Sequence, residues 1–306
     1  MSFFSGLLSA LPGAVAQGLI WGLMAIGVFI TFKVLDLADL TVDGTMATGG
    51  AVCIVMMTHG ANVWVAMLCA FLAGMLAGLI TGILHTCMGI PAILAGILTQ
   101  LALFSINLRI MDKKANVAIN PDNYKLLVSL RNVKKVTIEN PIFVAAVFTI
   151  VVIALLYWFF GTEIGSAMRA TGNNEAMIRA QGVNTNWTKL LALTISNGLV
   201  GLSGGLVCQS QKYADIGMGT GAIVIGLAAI VIGDVLMGRL RSFGSKLTSA
   251  VVGSVIYFVI RAVVLRMGMN ANDMKLLSAV IVAVALCVPV VVRKWRLKKA
   301  YTEGGE

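Results

Sequence analysis

Asp36-Leu37-Ala38-Asp39-Leu40-Thr41-Val42-Asp43-Gly44 sets three carboxylates between two long apolar runs. A second stretch, Tyr213-Ala214-Asp215-Ile216-Gly217-Met218-Gly219-Thr220-Gly221, places one acid and three glycines before another apolar run. Ala38-Asp39-Leu40 and Ala214-Asp215-Ile216 match in kind. Unpaired backbone groups cannot face lipid, so an interrupted helix at membrane depth must line a cavity or pack within protein. The two spans that follow these stretches run in opposite directions on the count below. That is the pattern of two inverted-repeat halves with broken helices near a transport path.

Composition supports the membrane setting. The 306 residues are 58% hydrophobic and 12% charged, whereas soluble domains are nearer 45–50% apolar and about 25% charged. A span needs about 20 mostly apolar residues. The runs 14–32, 41–58, 63–88, 91–111, 141–160, 190–210, 218–237, 247–266 and 274–292 qualify, so the expected fold is all-α and polytopic, with about 8–9 membrane helices. Residues 1–306 read as a single transmembrane domain with a cytoplasmic segment at 161–189.

The formal charge of +10 comes from 23 Lys and Arg against 13 Asp and Glu. In a membrane chain it reads as flanking charge that sets orientation, not as nucleic-acid binding. The tail Arg293-Lys294-Trp295-Arg296-Leu297-Lys298-Lys299 reads as a cytoplasmic stop. Counting back places 161–189 and 238–246 inside and 112–140 outside, although 112–140 is rich in Lys and Arg. The first basic residue is Lys33, so the first apolar run is expected to be a permanent helix rather than a cleaved leader. The five cysteines form no CxxC and read as small buried hydrophobes.

Asp39, Asp43 and Asp215 each admit two readings, a helix cap or a contact on the substrate path. The exposed N–H groups of a half-helix attract carboxylates, whether from the chain or from a zwitterionic cargo. Gln100, Phe104 and Asn107 share one face of the fourth span by helix spacing. With Asn197, Ser203 and Gln209 on the sixth they read either as a polar strip or as interhelical hydrogen bonds. His59 and His85 sit near Met56, Met57, Cys87 and Met88, but without repeated spacing; no metal site is expected.

Residues 173–182 read as a short helix, with Asn173 as N-cap, Glu175 in the first turn and Gly182 as C-cap. So short a helix has little reason to be stable alone, and Ala176, Met177 and Ala180 offer an apolar face to a partner. At this point the chain resembles a known family. Gly165, Arg169-Ala170, Gly172, Asn173-Asn174-Glu175-Ala176, Ala180 and Gly182-Val183-Asn184 resemble the coupling-helix signature of the branched-chain amino acid, ribose and nucleoside ABC permeases. Leu199-Val200-Gly201-Leu202-Ser203-Gly204-Gly205-Leu206 and Asp39-Leu40-Thr41-Val42 are similar too. Leu35-Asp36, Asp43-Gly44, Ser105-Ile106-Asn107-Leu108-Arg109-Ile110-Met111, Gln209-Ser210-Gln211 and Asp215-Ile216-Gly217-Met218-Gly219 resemble permeases that accompany binding proteins for tryptophan or tyrosine.

The resemblance implies a bacterial inner-membrane importer subunit that is not itself an enzyme. Two permease copies, expected as a homodimer, would form a path between them; separate ATPase subunits would bind ATP and Mg; an extracytoplasmic binding protein would deliver cargo. No cofactor is implied in this chain. Asp39, Thr41, Asp43, Gly44, Gly217 and Gly219 then become candidates for the central path, and Asn174, Glu175, Ala176, Arg179 and Gly182 for ATPase contact. No phosphate loop is present; Gly238-Arg239-Leu240-Arg241-Ser242-Phe243-Gly244-Ser245-Lys246 has the wrong spacing. The alternatives are an ion-gradient transporter, an ABC importer of another cargo such as a branched-chain amino acid, nucleoside or sugar, and a scaffold or channel.

Overall fold

The structure, a computed structural model, describes residues 3–120, 124, 126–130, 133, 140–237, 242–269, 273, 276–284, 287 and 291. α1 (Phe3–Phe29) continues into a π-helical stretch, Ile30–Val34. Then come α2 (Thr41–Thr58), α3 (Val63–Thr86) and α4 (Ala92–Ile110). β1 (Asn116–Ala118) and α5 (Pro141–Gly161) lead to two short helices, α6 (Glu163–Asn173) and α7 (Glu175–Ala180). α8 (Thr185–Gln211), β2 (Tyr213–Asp215), α9 (Ala222–Met237) and α10 (Phe243–Arg266) complete the named elements.

Eight of the nine expected spans coincide with these helices. In the ninth, 276–284 is helical and most of the remainder lies outside the described residues, as do Arg239, Arg241 and the tail 293–299. Local chemistry explains the boundaries. Asn62 and Asn140 cap α3 and α5 by accepting from the N–H groups of Trp64 and Ile142. Pro141 sits in the first turn of α5, where no N–H is needed. Six helices, starting at Leu8, Val63, Ala92, Pro141, Thr185 and Phe243, are long and apolar enough to cross a membrane; α9 is apolar but shorter.

The packing register reveals the two halves. Gly18 and Gly22 of α1 lie against Val255 and Val251 of α10, so these helices run antiparallel. Gly74 and Gly78 of α3 lie against Asn197 and Leu193 of α8, also antiparallel. Thr45 and Gly49 of α2 meet Asn197 and Gly201 of α8, so α2 is parallel to α8. Gly226 and Asp234 of α9 meet Val28 and Lys33, so α9 is parallel to α1. α1 and α8 themselves run antiparallel: Ser196 donates to the Gly27 carbonyl at 2.7 Å and Ser203 to the Ile20 carbonyl at 2.8 Å. Mapping α1, α2 and α3 onto α8, α9 and α10 reproduces every one of these relations with direction reversed. The fold is an inverted repeat in which each half packs its first helix on the other half's third.

α1 and α8 form the centre, with 78% of their apolar windows buried against 22% for α5. The outward faces of α3 and α5, with Leu68, Leu76, Ile150 and Leu155, are exposed in the chain; in a bilayer lipid covers such surface. β1 pairs antiparallel with β2, with Val117 opposite Ala214. α8 is 27 residues long, or about 40 Å at 1.5 Å per residue. It begins beside α7 and ends at β2. Segment 112–140 therefore starts on the face opposite 161–189, basic residues Lys113 and Lys114 included; Lys125, Arg131, Lys134 and Lys135 lie outside the described residues.

Candidate functional site

The interrupted starts of α2 and α9 meet. Asp39 is buried; its Oδ1 accepts from the Thr41 N–H at 2.9 Å, capping α2, and its Oδ2 accepts from Asn197 Nδ2 at 2.7 Å. Asn197 Oδ1 in turn accepts from the Thr45 hydroxyl at 2.8 Å. Thr41 Oγ1 lies 2.8 Å from Thr81 Oγ1, and Thr81 donates to Thr99 at 2.9 Å. One buried network thus joins α2, α3, α4 and α8. Asp43, half-buried in the first turn of α2, reaches across the repeat: it accepts from the Gly221 N–H at 2.8 Å and the Ile223 N–H at 3.0 Å. A carboxylate of the first half caps the helix of the second, where the dipole favours negative charge.

The glycines permit this approach. Gly219 is buried against the Asp43 carbonyl, with no room for a Cβ, and Gly221 turns at φ +84°. Gly217 is exposed and donates to Asp215 Oδ1 at 2.7 Å. Gly44 abuts Gln100 and Leu103 of α4. A Cβ on Gly217 would meet only side chains, Asp215 at 3.1 Å and Thr220 at 3.8 Å. Gly219→Ala is therefore expected to cost about 1–3 kcal/mol by forcing backbone apart, and Gly217→Ala less than about 1 kcal/mol. Thermal unfolding of the purified chain in detergent checks the difference; equal midpoints would contradict the close approach.

The three residues placed on one face of α4 do not share a surface. Asn107 is buried, Gln100 is half-buried beside Gly44, and Phe104 points outward at 52% exposure. α4 contacts α2 through the side that carries Thr99, Leu103 and Asn107, which turns Phe104 away. Neither side-chain polar atom of Asn107 has a hydrogen-bond partner among the described residues. Gln209 donates to the sulfurs of Met67 and Cys53 and accepts from the Leu127 N–H. His59 and His85 bond the carbonyls of Val55 and Ile90. Among the described residues no three His, Cys, Asp or Glu side chains converge.

The segment after α5 holds two helices where one was expected. Thr162 caps α6, its hydroxyl accepting from the Gly165 N–H at 3.3 Å. The N-cap of α7 is Asn174, not Asn173: Asn174 is extended at φ −158° and accepts from the Met177 N–H at 3.1 Å. Asn173 instead ends α6, whose helical backbone denies it the extended geometry a cap requires. α7 closes with paired bonds from the Gly182 N–H to the Arg179 carbonyl and from the Val183 N–H to the Ile178 carbonyl, Gly182 sitting at φ +84°.

Six residues of helix need outside support. Glu175 supplies it by pairing with Lys189 of α8 at 2.7 Å and Arg179 at 2.8 Å and accepting from the Thr185 hydroxyl at 3.0 Å. The Lys189 ammonium, above all, holds the Glu175 carboxyl below its ordinary range. Ile178 is buried against the body, while Ala176, Met177 and Ala180 are exposed. Thr171 of α6 lies 3.0 Å from Thr188 of α8, hydroxyl to hydroxyl. Gly172 packs directly on the Val34 carbonyl, at the end of the π-helical stretch.

Interlocked inverted halves, helix breaks that meet inside the bundle and a braced helix on one face define a transport permease. A family model described as the branched-chain amino acid transport system permease component matches residues 11–286, and the chain belongs to that family. It is 37% identical to a tyrosine transport system permease protein of Clostridioides difficile, over 90% of each chain. It is 26% identical to a fructose import permease of Bifidobacterium longum, covering 82% of this chain and 68% of that one. With a ribose import permease of Escherichia coli it shares 22% identity over 87% of this chain and 81% of that one. The chain is an ABC-type permease subunit and a multi-pass protein of the bacterial inner membrane.

Proposed function

We propose that this permease imports an aromatic amino acid, tyrosine or tryptophan, driven by a separate ATPase that binds ATP and Mg and bears on α7. The observation that carries this reading is α7 itself: a helix of six residues anchored by the Glu175 pairs and Ile178, presenting Ala176, Met177 and Ala180 outward. A helix so held, with its apolar side left open, suits a partner's groove. The likeness to a tyrosine permease at 37% identity, well above the sugar permeases, supports the cargo.

Two copies of the chain would enclose the path, and an extracytoplasmic binding protein would load it. Within each copy Asp39, Thr41 and Asn197 hold the helix break in shape, while Asp43, Gly44, Gly217, Gly219 and Gln100 border the crossing where the path would pass. Phe104 would face lipid or the second copy. The test is uptake of labelled tyrosine, tryptophan, leucine and ribose into proteoliposomes holding permease, ATPase and binding protein. Saturable, ATP-dependent uptake of the aromatic amino acids is expected. Uptake by the permease alone under an ion gradient would overturn the ATP-driven reading; preference for leucine or ribose would overturn the cargo.

A further inference from the structure

On the face that carries α6 and α7, a cleft of about 270 Å3 opens between α6, the π-helical end of α1, α9 and α10. Its walls carry Lys33, Arg169 and Lys246 against one carboxylate, Asp234, and its apolar side is formed by Phe29 and Phe243. Lys33 is paired with Asp234 at 2.8 Å. Among the described residues neither Arg169 nor Lys246 has an ion-pair partner. Three cations less one carboxylate leave two positive charges in one concavity.

A solvated face of scattered lysines would not look like this. The guanidinium of Arg169 is held 5.5 Å over the Phe243 ring, which positions the cation before any ligand arrives. Two phenyl groups displace water beside the charges and so strengthen their attraction for an anion. Phe243 and Lys246 belong to the first turn of α10, whose N-cap, Ser242, makes no side-chain capping bond; the positive end of the helix dipole there favours an anion too. The volume equals about nine waters' share of liquid, enough for a phosphate group with ester arms.

We propose that this cleft binds a phosphate-bearing anion, an anionic phospholipid headgroup or free phosphate, and that the bound group ties α6 to the ends of α1 and α10. Basic pockets between membrane helices on the cytoplasmic side take such headgroups. The inference requires neither a particular cargo nor the ATPase, only the cleft. Asp234 acts as an internal competitor: the anion and this carboxylate contend for Lys33.

The full-length chain in phosphatidylcholine nanodiscs, with and without phosphatidylglycerol, is the system to use. Native mass spectrometry reads retained lipid, and thermal unfolding reads stabilisation by added inorganic phosphate. Phosphatidylglycerol retained in preference to phosphatidylcholine assigns the headgroup; a raised midpoint with inorganic phosphate alone assigns the free anion. The Arg169→Gln/Lys246→Gln double variant is expected to weaken either effect by roughly tenfold or more, at about fivefold per charge. Asp234→Asn should strengthen it, a gain that a misfolded variant would not give. Lys113→Gln/Lys114→Gln, on the opposite face, should leave it unchanged. If the double variant holds phosphatidylglycerol as wild type does and phosphate moves no midpoint, the cleft is not an anion site.

Discussion

Met177→Glu is expected to weaken binding of the ATPase by roughly a hundredfold, about 3 kcal/mol, and to reduce ATP-driven uptake to background. Met177 is 56% exposed in the chain, so the substitution disturbs nothing inside the permease. In a groove it would bury a carboxylate with no assigned partner, and unpaired charge is costly there. Removing residues 173–182 should have the same functional effect, but it also takes out the Glu175 brace and Ile178. The point substitution separates contact from folding, because its thermal unfolding should match wild type. Unaltered co-purification of the ATPase with Met177→Glu would remove α7 from the mechanism. Ile178→Ala offers the converse: a buried side chain, whose loss should loosen α7 itself.

Asn197→Ala should be the most destabilising single change at the helix break, by about 3 kcal/mol or more. An average interhelical hydrogen bond in a membrane protein contributes only about 0.6 kcal/mol. This one is different because its acceptor is the buried Asp39 carboxylate, which would keep only Thr41 as a partner among the described residues while the Thr45 hydroxyl loses its acceptor. Orphaning a buried group costs more than a mean bond contributes. Asp39→Asn should cost less, since an amide oxygen can still accept. The double variant Asp39→Asn/Asn197→Ala should be less damaged than the sum of the singles, an interaction measurable by unfolding in detergent. Strict additivity would show that the pair is not coupled.

Much of this fold was legible because lipid imposes long apolar runs and because Asn, Pro and Gly punctuate them. The starts of α2, α3 and α5 fall within a residue of the expected positions. The inverted repeat showed in Asp39 and Asp215 ahead of their spans, yet its partner pairs did not, since helix-on-helix register depends on Gly78, Gly201 and similar contacts far apart in sequence. Asp39 and Asp43 drew notice as acids beside apolar runs. Thr45 and Thr81, which complete the network, did not, because threonine is common in membrane helices and only three-dimensional neighbours distinguish a link from packing. The strands β1 and β2 are three residues each, too short to carry an alternating pattern. α6 was not anticipated, because Gly165, Thr171 and Gly172 are weak helix formers and the segment becomes a helix only where α8 and Val34 provide something to pack on.

The seat of Gly172 on the Val34 carbonyl has a mechanical consequence. Main chain rests on main chain, with no flexible side chain between them to yield. A displacement of the two-helix strut would reach the top of the first helix without lost motion, and from there the stretch that leads into Asp39. Stiffness at that one joint would decide how much of such a stroke survives, and any side chain there would have to pry the two backbones apart.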